Sequence, residues 1–265
     1  MLTIMLIYLG LGIPVGILAG LLGVGGGLII VPMVVFTLTW QGVPDQHLMH
    51  LALGTSLASI IFTSVSSFYA HHKRGAVHWE VVRRIVLGIL TGTFFGACLA
   101  AQMSTNLQKG LFVAFLFYMG FQMLTNKKPK PTRSLPGPLG MFGAGNGIGA
   151  VSALVGIGGG SMSVPFMVWC NVTVHEAIGT SAAIGFPIAV AGAVGYIVNG
   201  LGAADLPAFS LGYVYLPALA GIVTASVCTA PLGVRLAHSL PVVKLKRIFA
   251  LLLFVMGTKM LIGLF

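Results

Sequence analysis

Residues 23–32 read GVGGGLIIVP, and residues 156–165 read GIGGGSMSVP, a near copy offset by 133 residues. Glycine gives up the most backbone freedom on ordering and is about 1 kcal/mol worse than alanine in a helix. Two glycine triplets ahead of a short run ending in Val-Pro are therefore a costly feature used twice. A second pair follows each triplet: HLALGTS at 50–56 and HEAIGTS at 175–181. Near the ends of the two segments, MGFQML at 119–124 resembles MGTKML at 256–261. The order of these motifs is the same in both halves, which marks an internal duplication.

The chain has 265 residues, of which 57% are hydrophobic and 7% charged, with 37 glycines and a mean hydropathy of +1.02. A soluble domain carries about 25% charged residues, so this sequence cannot cover a surface facing water. Its apolar runs of about 20 residues have the length of a helix crossing a bilayer. The fold expected is an all-α polytopic membrane protein. The start, MLTIMLIYLG, lacks a basic segment and a small-residue cleavage site, and so reads as a retained helix rather than a signal peptide. Cys98, Cys170 and Cys228 lie in apolar runs without metal or redox spacing and read as packing residues.

Hydropathy predicts helices at 3–22, 28–40, 48–70, 82–102 and 109–125, then at 139–156, 161–171, 176–198, 208–234 and 246–265. Each half thus holds four long helices and one short broken helix after its GGG loop. Between them, TNKKPKPTRSLPGP (125–138) has four basic residues and four prolines and is incompatible with a helix in lipid. The domains expected are a first transmembrane repeat at 1–124, a basic cytoplasmic linker at 125–138 and a second repeat at 139–265.

Twelve of the fourteen Lys and Arg residues fall in three places: Lys73, Arg74, Arg83 and Arg84; Lys127, Lys128, Lys130 and Arg133; and Arg235, Lys244, Lys246 and Arg247. The positive-inside rule makes all three cytoplasmic. The first and third occupy non-equivalent places in the two halves, so the halves are expected to be inverted repeats with five crossings each. Both termini then lie outside, on the periplasmic face of an inner (plasma) membrane. The net charge of +10 is thereby used as a topology signal, and nucleic-acid binding is not implied.

Inverted repeats with broken helices are a common architecture of secondary transporters, whose sites form where unwound backbone and half-helix N-termini meet. Unpaired backbone at membrane depth is tolerated only where it lines a cavity or is buried in protein. Three glycines before a helix start leave N–H groups unshielded, which suits an anion without any cationic side chain. The expected substrate-binding residues are Gly25, Gly26, Gly27, Thr55 and Ser56 in the first half, with Gly158, Gly159, Gly160, Ser161, Thr180 and Ser181 in the second. The first half has Leu28 and Ile30 where the second has Ser161 and Ser163, so the contributions are unequal. His50 and His175 are candidates for proton coupling, with interfacial capping as the alternative. Gly12, Gly16 and Gly20, and the run GAGNGIG at 143–149, read as helix-packing devices. No nucleophile–base pair, carboxylate pair, P-loop lysine or metal constellation is present, so the reading is of a protein that is not an enzyme and needs no cofactor. The basic clusters at 70–74 and 78–84 read as solvated loops, with acidic lipid as the alternative ligand.

With GxGGGxxxVP in both halves, a His-x-x-x-Gly-Thr-Ser downstream of each and a basic central linker, the whole chain resembles the TauE/SafE family. The resemblance implies a multi-pass permease that exports sulfite or organosulfonates, in agreement with the anion site read from the residues. The partners implied are a small anion and the lipid bilayer, and the sequence assigns no oligomeric state. The competing reading is a non-transporting membrane subunit in which the glycine motifs serve packing alone.

Overall fold

A computed structural model describes residues 2–22, 26–125, 132–239 and 242–263. Gly25, Lys127, Lys128 and Lys130 lie outside these residues, as do the side chains of Lys244 and Lys246. The described chain forms ten helices: α1 (Leu2–Leu22), α2 (Gly27–Trp40), α3 (Asp45–His72), α4 (Trp79–Ala101), α5 (Thr105–Thr125), α6 (Pro138–Val155), α7 (Gly160–Trp169), α8 (Val174–Gly200), α9 (Leu216–Ser239) and α10 (Val242–Ile262). Seven of them, α1, α3 to α6, α8 and α9, are long and apolar enough to cross a membrane. This is an all-α polytopic membrane protein.

The helices begin and end close to where hydropathy places them, with one exception. Residues 208–215 do not open α9. They form a hairpin of β1 (Ser210–Leu211) paired antiparallel with β2 (Val214–Tyr215). Phe209 and Gly212 have positive φ, at 66° and 53°, which a continuous helix cannot contain. Apolar residues at 209–216 therefore mark a loop folded into the protein, and hydropathy cannot separate that from a helix.

Helix pairing repeats when the two halves are exchanged. α1 packs on α9 as α6 packs on α4; α2 lies on α3 as α7 lies on α8; α3 meets α9 as α8 meets α4. α3 pairs with α8, and α5 with α10. The glycine-rich seams explain the closest of these. Side chains at Gly12, Gly16 and Gly20 of α1 would run into the α9 backbone at Ile222, Ser226 and Ala230. Likewise Gly88, Gly92 and Gly96 of α4 abut Phe142, Asn146 and Ala150 of α6. Small residues let membrane helices approach closely, with packing rather than hydrophobic transfer as the driving force.

Side-chain bonds define the two ends of the bundle. At one end, Tyr8 of α1 meets Thr37 of α2 at 2.8 Å between hydroxyls, and the Tyr215 hydroxyl donates to Gln41 Oε1 at 3.0 Å. Thr105, at the start of α5, donates to the Gln46 carbonyl at 2.7 Å. At the other end, Arg74 donates to the Val234 carbonyl at 3.1 Å, His78 lies 3.3 Å from Glu176, and the Trp169 indole donates to Thr132 at 2.9 Å. Lys73, Arg74, Arg83, Arg84, Arg133 and Arg235 belong to this second end, whereas Lys109, bonded to the Gly263 carbonyl, belongs to the first.

Candidate functional site

Each GGG loop ends in a left-handed glycine that caps a short helix. Gly26 has φ +80° before α2 and Gly159 has φ +74° before α7, and neither helix has a side-chain cap. A non-glycine residue pays about 1–2 kcal/mol for that backbone geometry, which explains glycine at these two positions. The Gly26 carbonyl accepts from Ile29 and Ile30 at 3.0 and 3.1 Å, and the Gly159 carbonyl accepts from Met162 and Ser163 at 3.0 and 2.8 Å. Gly26 faces Val15, in the middle of α1. Gly26 therefore lies in the interior of the bundle, where α2 begins.

The two loops meet there. Gly27 abuts the Gly156 carbonyl and the Ile157 backbone, and a side chain at Gly27 would also crowd the Ser56 hydroxyl at 3.1 Å. Ser56, fully buried, donates to the Gly156 carbonyl at 2.7 Å. The Gly158 carbonyl approaches Gly185 of α8, with Ser64 of α3 alongside.

The Gly-Thr-Ser motifs make matched contacts across the halves. Gly54 admits the Tyr213 carbonyl, and Gly179 admits the Ala76 carbonyl. Thr55 Oγ1 accepts from the Tyr215 N–H at 2.9 Å, and Thr180 Oγ1 accepts from the His78 N–H at 2.9 Å. Each motif thus holds a loop of the other half: the β1–β2 hairpin at one end, residues 73–78 at the other. Ser181 donates to the Ile178 carbonyl of its own helix at 2.8 Å, where Ser56 reaches the opposite loop.

The second glycine loop carries a set of unmet donors. Among the described residues, the N–H groups of Gly158, Gly159, Gly160 and Ser161 find no acceptor. The hydroxyls of Ser152, Ser161 and Ser163 are buried and have no partner either. Ser152 Oγ is 3.7 Å from the Cβ position of Gly159, so it stands beside the left-handed turn. Buried polar groups in native structures are paired with few exceptions. Unmet N–H donors at a helix start, with the Ser152 hydroxyl beside them, are complementary to an anion.

At the equivalent places in the first half, the offset of the repeats puts Ala19 for Ser152, Leu28 for Ser161 and Ile30 for Ser163, all fully buried. Ser152 was not singled out by the sequence reading. The signal was present, because extending the alignment four residues upstream of Gly156 shows the same polar-for-apolar exchange a third time.

The two histidines differ. His50 is buried against Tyr213, with ring centroids 4.9 Å apart. His175 is exposed, and next to it Glu176 forms a capping box with Thr173 and pairs with His78. Burial pushes the Cys170 thiol up from its ordinary range, with Arg133 only partly opposing this; a protonated, buried thiol is a packing group.

Among the described residues, ten helices, two of them short and capped by buried glycine turns that meet inside the bundle, define a multi-pass membrane protein. The profile of the sulfite exporter TauE/SafE family matches residues 8–260, and the chain belongs to that family. Its members are membrane transporters rather than enzymes. It is 38% identical over 261 residues to a "probable membrane transporter protein" of Haemophilus influenzae, covering 98% of this chain and 99% of the relative. It is 25% identical over 253 residues to a protein of the same description from Methanocaldococcus jannaschii, covering 95% and 93%. A Bacillus subtilis relative, also called a probable membrane transporter protein, is 26% identical over 258 residues, covering 93% and 94%. No solved structure matches.

Proposed function

We propose that this membrane transporter exports small sulfur-containing anions, such as sulfite or organosulfonates, by alternating access. The observation that carries the reading is the donor set at the start of α7. Four successive backbone N–H groups and the buried hydroxyls of Ser152, Ser161 and Ser163 have no acceptor among the described residues. A sulfonate or sulfite offers three oxygens and negative charge to such a set, and the positive end of the α7 dipole adds to the attraction. The binding residues are Gly158, Gly159, Gly160, Ser161 and Ser152, with Ser163 beside them. Gly26 and Gly27 line the path from the first half, with Gly25 assigned to the same site by the sequence pattern alone. Ser56, Thr55 and Thr180 hold loops in place, and Ser181 lies on the equivalent face of α8. His50, buried against Tyr213 between the halves, is the candidate to carry a coupling proton, with exposed His175 as the alternative.

The halves are read as inverted repeats. Support comes from the bundle ends: the start of α1 lies with the starts of α3, α5 and α9 at one end, and the starts of α4, α6 and α8 lie at the other. Basic residues collect at the second end, which is therefore assigned to the cytoplasm of an inner membrane, with both termini outside. Rocking of one half against the other would expose the α7 site first to one side and then to the other.

Thermal-shift measurements on purified protein test the reading across two sets of solutes. Sulfite, taurine-like sulfonates and thiosulfate should each raise the melting midpoint and compete with one another, whereas alkali cations should not substitute for them. Stabilisation by cations alone, with no response to any sulfur oxyanion, would reject it.

A further inference from the structure

We propose that the groove between α6 and α7 is a binding site for one anionic phospholipid, independent of the transported solute. The groove has a volume of about 540 Å³ and is walled by Gly147, Ile148, Met162, Pro165, Phe166 and Trp169. On α7 these are positions 162, 165, 166 and 169, a single helical face. Gly147 and Trp169 are exposed, so the groove is open at the protein surface.

Its mouth is charged. Arg133 lies over the Trp169 ring, 4.7 Å from the centroid, and the backbone N–H groups of Thr132 and Arg133 both donate to the Trp169 carbonyl at 3.3 Å. The indole N–H in turn donates to Thr132. These bonds fasten the end of the linker to the end of α7 and fix a guanidinium at the rim. No carboxylate among the described residues pairs with Arg133. A cation held at the edge of an apolar groove between membrane helices matches the phosphate of an acidic lipid whose acyl chain lies in the groove. An aromatic ring at the same level suits the headgroup boundary.

The first half shows what an occupied version looks like. Phe36 stands at the place equivalent to Trp169, and Lys259 of α10 lies over it, 4.4 Å from the ring centroid. There α10 packs on α2 and supplies from within the protein both the cover and the cation. In the second half the cation comes from the linker, and the groove beside it stays open to the bilayer.

Native mass spectrometry of delipidated protein tests this, using phosphatidylglycerol, phosphatidylethanolamine and phosphatidylcholine of matched chains. Wild type should retain phosphatidylglycerol at least fivefold over phosphatidylcholine. Arg133→Ala should bring that ratio close to one. Gly147→Leu should remove one lipid adduct of every class, because no protein atom lies within 4 Å of a Cβ there and the new side chain fills the groove without displacing the fold. Lys109→Ala, at the opposite end, should change nothing. Equal retention of the three lipids, an unchanged ratio in Arg133→Ala, an undiminished adduct count in Gly147→Leu, or displacement of the lipid by a sulfonate or by a second copy of the chain would each overturn the proposal.

Discussion

The Ser56 hydroxyl donates to the Gly156 carbonyl at 2.7 Å, joining residues 100 positions apart in the chain at the centre of the bundle. Ser56 comes from the first Gly-Thr-Ser motif and Gly156 opens the second glycine loop. The bond therefore ties together the two motifs whose repetition stands out in the sequence, across the boundary between halves. Beside it, Gly27 leaves no room for a side chain against the same carbonyl. The first half thus holds the glycine loop of the second half in place.

Replacing Ser56 by alanine removes this tie and leaves a buried carbonyl unpaired. Hydrogen bonds between membrane helices are worth about 0.6–2 kcal/mol, so Ser56→Ala should lower the melting midpoint in detergent measurably. Gly27→Ala, which pushes a methyl into the Gly156 carbonyl, should lower it further. Melting curves identical to wild type for both variants would show that the two loops do not depend on each other.

Left-handed glycines make a different prediction. Gly159→Val and Gly26→Val place a β-branched residue where φ is positive, which such residues resist. The nearest atom to a Cβ at Gly159 is the flexible tip of Ile188, whereas at Gly26 it is Val15, including its backbone. Both variants should lose most transport, with Gly159→Val the better retained in the membrane. Quantitative blotting of membranes alongside flux separates the two effects, and normal flux in either variant would reduce that glycine to a packing role.

Much of this architecture could be read in the sequence, and the reasons differ from part to part. Helices were legible because lipid enforces length and apolarity on any segment that crosses it. The short helices α2 and α7 were legible from their glycine triplets. The hairpin at 210–215 was not, since a loop buried in a membrane protein is as apolar as a helix. Thr55 and Thr180 were recognisable as a matched pair, but their work was hidden. Each accepts from an N–H more than 100 residues away in the chain, and no local pattern records such a partner. His50 and His175 were alike in sequence and differ in burial, because the Tyr213 loop covers only the first.

The matched threonines predict matched consequences. Thr55→Val should release the Tyr215 N–H at one end of the bundle, and Thr180→Val the His78 N–H at the other. Each substitution keeps volume and removes the acceptor. Hydrogen exchange should then rise locally, at the β1–β2 hairpin in the first variant and at residues 73–78 in the second. Exchange confined to neither loop would mean that these hydroxyls do not anchor them.

The most direct measurement is flux of labelled sulfite, or of a taurine-like sulfonate, in proteoliposomes carrying Ser152→Ala with Ser161→Ala, set against Ala19→Ser with Leu28→Ser. Neither wild-type hydroxyl has a partner among the described residues, so their removal should leave the melting midpoint near wild type. A hydrogen bond to a charged group is worth about 1.5–3 kcal/mol. The serine-to-alanine pair should therefore weaken apparent anion affinity by tenfold or more per hydroxyl, and the first-half pair should leave affinity within about twofold of wild type. Unchanged affinity in the Ser152→Ala, Ser161→Ala protein, with flux intact, would contradict an anion site at the start of α7.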